Sequence, residues 1–107
     1  MKRRIIGFIG EAVVLQCRTN DSLSKWRSVR RGDVASRSGV FSGYPRLSLN
    51  DSIEGHFDLI IHSAQLEDAD TYMCTTRSNT VVQAELTLLG KCFVLICYSM
   101  NSISVIL

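Results

Sequence analysis

His56, Asp58 and His62 sit at even spacing, so on an extended chain three potential metal donors would share one face. No further strong ligand lies beside them, and the set reads as a solvated strand face with no metal or other cofactor assigned. No serine, histidine and aspartate fall into a nucleophile motif, so an enzyme is not expected. Arg31-Gly32-Asp33 matches the tripeptide that integrins bind. A glycine there is ordinary turn chemistry, and integrin binding is not assigned to it. Lys25, Arg27, Arg30, Arg31 and Arg37 make one stretch basic. That stretch reads as a solvated sheet face, or as one that steers an acidic protein partner. The net charge of +2 is too small to point to nucleic acid. Asn20-Asp21-Ser22 and Asn50-Asp51-Ser52 are N-glycosylation sequons in expected loops.

The elements that must carry these groups read as strands. Ile5, Ile6, Phe8 and Ile9, interrupted by Gly7, suit a first edge strand. Ala12 to Cys17 makes a second, and Lys25 to Val29 around the lone Trp26 a third. Arg30 to Asp33 forms the turn after it. Ser36 to Tyr44 is rich in serine and glycine and stays ambiguous. Arg46 to Leu49 makes the next strand, followed by a polar turn at Asn50 to Ser52. Phe57, Leu59 and Ile61 share one face at period two, as a half-buried strand requires. Tyr72 and Cys74 lie on the following strand. Val81 to Leu89 ends the series, with Val82, Ala84, Leu86 and Leu88 on one side.

In chain order, Cys17, Trp26, Arg46 and Asp68-x-x-x-Tyr72-x-Cys74 resemble the pins of an immunoglobulin variable-type domain. The resemblance covers about residues 3–89 and implies an all-β sandwich. It implies a Cys17–Cys74 bridge between the sheets, with Trp26 packed over it and Tyr72 closing the corner between strands E and F. It further implies that Arg46 and Asp68 pair at the base, as an exposed ion pair worth about a kilocalorie or less. A bridge closing a loop of 57 residues contributes roughly 4 kcal/mol and persists only in an oxidising compartment, which implies an extracellular address. Only eight residues separate Cys17 from Trp26, and about twenty separate Trp26 from Arg46, so the B–C loop and C′–C″ region are shortened. Asp70 stands where the family usually has Gly or Ala. The last strand lacks the Phe-Gly-x-Gly bulge of rearranging receptors. The resemblance is therefore to non-rearranging proteins: novel immune-type receptors of fish, or butyrophilin-like and costimulatory-ligand domains.

It implies the protein-recognition domain of an immune-type cell-surface receptor or ligand. The alternative is a homotypic adhesion or structural module without immune signalling. The expected contacts are Arg77, Ser78 and Asn79 in the F–G loop, with Arg27 and Arg30 on the sheet face.

Both ends are unusual. Met1 to Ile9 mimics the start of a signal peptide, but its apolar part is short and no cleavage-site pattern follows. It is read as the first strand, with the leader missing from the gene model. Residues 90–107 form an apolar tail. As a helix, the sixteen uncharged residues Cys92 to Leu107 would span about 24 Å, against a hydrocarbon core near 30 Å. A truncated membrane anchor, a misread intron and an extra strand all remain open. The roles of Cys92 and Cys97, as acylated thiols, a second bridge or accidental residues, follow from that choice.

Overall fold

Period-two alternation is carried into two facing sheets. The computed structural model describes residues 1–90, 92–93, 96–98 and 103–105, the last three stretches by backbone alone. Within residues 1–90 the strands in chain order are β1 (Lys2–Phe8), β2 (Val13–Leu15), β3 (Lys25–Ser28), β4 (Gly32–Ser36), β5 (Gly39–Val40), β6 (Leu47–Asn50), β7 (Asp58–Ile61), β8 (Asp70–Thr75) and β9 (Thr80–Leu89). One sheet has the order β1-β9-β8-β3-β4-β5, the other β2-β7-β6. β1 runs parallel to β9, from Lys2 opposite Gln83 to Phe8 opposite Leu89. The other pairings are antiparallel.

The inward faces meet in one core. Leu15, Leu59 and Ile61 of the smaller sheet, Phe57 just before β7, and Val82, Ala84, Leu86 and Leu88 of the larger sheet are all buried. Cys17 and Cys74 are bonded across it, with Cα atoms 6.4 Å apart. Trp26 is paired in register with Cys74, is fully buried, and donates its indole N–H to the Phe57 carbonyl at 2.8 Å. The Tyr72 hydroxyl donates to the Asp68 carbonyl at 2.7 Å, closing the corner over a single 3-10 turn at Leu66–Asp68.

Gly7 marks the closest approach of the layers. A Cβ there would lie 2.6 Å from Val13 Cγ2 and 3.1 Å from Leu88 Cδ2, so β1 seats against both sheets only because it has none. The ambiguous Ser36–Tyr44 stretch supplies the end of β4, a turn at Arg37–Ser38 and β5, whose first residue Gly39 takes a φ of +130 as it leaves the turn.

Asp58 is not on a solvated face. It is buried beside Phe57, accepts the Cys17 amide at 3.0 Å, and pairs with Arg18 at 2.6 Å. His62 meets Ser48 Oγ at 2.8 Å instead. The described residues hold no group of three or more potential metal ligands.

Past Gly90, β10 (Cys92–Phe93), β11 (Ile96–Tyr98) and β12 (Ile103–Val105) pair antiparallel in a sheet of their own. No helix among the described residues is long and apolar enough to cross a membrane. The thiols of Cys92 and Cys97, and most of the tail on which the anchor reading rests, lie outside the described residues.

Candidate recognition surface

The outward parity of the larger sheet follows from its inward one. Tyr72 and Cys74 point into the core, so Met73 between them must face out, and the same rule turns Gln83 and Lys2 outward. The registers then align Lys2, Gln83, Met73, Arg27 and Asp33 in one row across five strands. A neighbouring row places Arg4 beside Glu85, at 4.0 Å, and Glu85 beside Thr71. Lys25 and Asp33 form an ion pair of 3.2 Å on the same face. Arg27 is exposed and has no ion-pair partner among the described residues.

The five basic residues of the 25–37 stretch do not form one strip. Lys25 and Arg27 lie on the face, but Arg30 does not. Its guanidinium donates to the carbonyls of Glu67 at 2.5 Å and Ala69 at 2.8 Å, and sits 3.6 Å from Asp70. The physical reason is that β3 ends at Ser28, so Arg30 falls in the turn beside the 3-10 turn, at the end of the sandwich away from the β8–β9 turn. This arrangement also accounts for the unusual Asp70, whose nearly buried carboxylate accepts the Ser28 hydroxyl and lies against Arg30. Arg31 donates to the Glu67 carbonyl at 3.1 Å and lies 3.6 Å from Asp68. With Asp33 held by Lys25, both charged groups of Arg31-Gly32-Asp33 are occupied within the domain. Arg37 turns inward, its guanidinium 4.6 Å above the Phe57 ring and bonded to the carbonyls of Thr19, Asp21 and His56.

The base is more closely built than an exposed ion pair. Arg46 grips Asp68 with two bonds, of 2.5 and 2.9 Å, and the Asp68 side chain is only 1% exposed. Burial pushes the Asp68 carboxyl up. The Arg46 bonds, the Gln65 amide and the Arg31 charge outweigh it and hold it below the ordinary carboxylate value. Burial, with the Asp68 charge adding to it, pushes the Tyr72 phenol up to about 12.

At the other end, Thr76 and Asn79 close the β8–β9 turn at 2.8 Å, leaving Arg77, Ser78 and Asn79 exposed together. Arg77 sits 3.6 Å from Asp21 in the B–C loop. The Leu23 amide holds the Asp21 carboxyl below its ordinary value; burial, the next largest effect, works against it, and the Arg77 charge helps to lower it. Between this turn, the B–C loop and the β4–β5 hairpin lies a cleft of about 690 Å³ lined by Leu23, Lys25, Asp33, Arg37, Phe41 and Arg77 among others. Leu23 and Phe41 are residues that sequence reasoning missed, because an apolar residue in a loop carries no periodic signal. Met73, Gln83 and Lys2 were also missed, though strand parity alone would have found them.

No family model matches the sequence. Solved structures do. The first immunoglobulin domain of ZIG-8, crystallised as a homodimer, superposes with a TM-score of 0.72 at 20% identity, over 82% of this chain and 79% of that one. The full ectodomain of mouse nectin-like molecule 4 gives 0.69 at 18% identity, over 82% of this chain and 32% of that one. The CD2-binding domain of CD58 gives 0.65 at 22% identity, over 84% and 55%. The chain thus spans about half, or less, of the length of the latter two structures. The fold is that of an immunoglobulin-like β-sandwich, shared with these domains.

Proposed function

We propose that this domain is the extracellular protein-recognition module of a cell-surface protein, and that it meets its partner with the outer face of the six-stranded sheet. The observation that carries this reading is the outward row Lys2, Gln83, Met73, Arg27 and Asp33, in which Lys2 and Arg27 are exposed and Arg27 has no ion-pair partner among the described residues. A buried disulfide fits an oxidising, extracellular location. Similar domains have been crystallised as a homodimer, in a heterodimer, and bound to a further immunoglobulin protein, which supports a protein partner here. The finer reading, an immune-type receptor or ligand, rests on the sequence resemblance. The ZIG-8 homodimer favours a second reading, homotypic adhesion. Anchoring through the apolar tail belongs to the same proposal. Asn20 and Asn50 are proposed glycan sites. Asn50 ends β6 on the smaller sheet, so a sugar there leaves the recognition face open.

The test is staining of cells by a multimer of the domain, made with an added leader. Arg27→Glu should weaken staining, and added salt should shrink the difference. Val14→Glu, at an exposed position on the smaller sheet, is the control and should change little. Equal effects from both substitutions would move the site off this face.

A further inference from the structure

We propose that the cleft between the B–C loop, the β4–β5 hairpin and the β8–β9 turn is the anchoring subsite of this recognition face. It takes an apolar side chain of the protein partner that carries a carboxylate beside it. The inference rests on the sheet-face reading and adds the chemistry of the contact.

Two observations place it. Leu23 is 58% exposed and Phe41 41% exposed, and both line this one cleft, although they lie far apart in sequence. Single exposed apolar residues are ordinary, but two on one concave wall form a place where an apolar group leaves water. The cleft also opens onto the face, since Lys25 and Asp33 belong to both. An anchor seated there would be continuous with the row through Arg27, and large side chains in such pockets carry much of an interface's affinity.

Charge then selects the occupant. Lys25, Arg37 and Arg77 line the cleft against Asp33 alone. Counting Asp21 behind Arg77, the cations still outnumber the carboxylates. Arg37, over the Phe57 ring, spends its bonds on neutral carbonyls and has no carboxylate partner among the described residues, so it supplies the surplus charge. A carboxylate flanking the apolar group meets that surplus, while an ammonium or guanidinium would be repelled. The same surplus, together with Arg27, works against a second copy of this chain as the occupant.

The test titrates the isotope-labelled, oxidised full chain with 3-phenylpropionate, which has an aromatic ring and one carboxylate, and with its neutral amide. The acid should give saturable amide shifts at Leu23, Lys25, Phe41 and Arg77 at millimolar concentration, and the neutral amide should bind several-fold more weakly. Leu23→Asp, at an exposed site, should abolish these shifts and leave the rest of the spectrum unchanged. Arg77→Glu should weaken the acid and spare the neutral amide. Equal binding of the two probes, shifts centred instead on Arg46 and Glu67, or no saturable shift would overturn the proposal. In the multimer assay, Leu23→Asp should lower staining by about tenfold. If Arg27→Glu lowers staining and Leu23→Asp does not, the sheet face stands and the cleft falls.

Discussion

Asp68 shows how much a single carboxylate can organise. It holds Arg46 by two bonds, draws in Arg31, takes the Gln65 amide, and offers its own carbonyl to Tyr72. The pairing with Arg46 was legible in the sequence through the resemblance. The burial was not, because Arg31 and the 3-10 turn close over the carboxylate only in three dimensions. Removing one partner of a buried pair leaves the other charge stranded. Arg46→Ala should therefore cost about 2–3 kcal/mol in denaturant unfolding, well above an exposed pair. The pH dependence has a definite sign. The folded carboxyl titrates below its unfolded value of about 4, so its contribution is full above that value and is lost as pH falls through the folded one. Unfolding curves of Asp68→Asn should lack this acid limb. Tyr72 behaves oppositely, because the fold favours the neutral phenol. That stability is full below about pH 10 and is lost as pH rises toward about 12. A spectrophotometric titration should show this phenol ionising late, and Tyr72→Phe should remove the late phase.

At the scale of elements, alternation was the reliable guide. Phe57, Leu59 and Ile61, like the four inward residues of β9, stand where period two puts them. Alternation failed at Asp58, because that residue sits against the loop that follows β2, where Arg18 and the Cys17 amide satisfy it. Arg30, expected on the face, lies past the end of β3 at Ser28, where its side chain is drawn to the carbonyls of Glu67 and Ala69, a contact that alternation does not address. Gly7 was legible only as an interruption in an apolar run. Its reason is the contact of β1 with Val13 and Leu88, which no local pattern encodes. Gly7→Val should thus overpack the junction of the two sheets, costing about 1–3 kcal/mol. Thermal unfolding of that variant, set beside Ile6→Val at an exposed position of the same strand, separates packing from strand propensity.

For the whole molecule, the question is where the domain ends. The buried apolar side chains from Val13 to Leu88 pack into one core between the two sheets. Both sheets of the sandwich are complete at Leu89, and the strands beyond pair with one another. The disulfide likewise joins two residues within this part. A chain ending at Gly90 and secreted with an added leader should therefore fold as a soluble, oxidised unit with a single cooperative unfolding transition. Reduction should lower its stability by roughly 4 kcal/mol, the value for a loop of the observed 57-residue separation. Denaturant curves with and without reductant measure both. A folded product would show that the sandwich needs nothing beyond its own two sheets, leaving the tail to link or anchor. Failure to fold would make the tail part of the core, and the anchor proposal would fall with it.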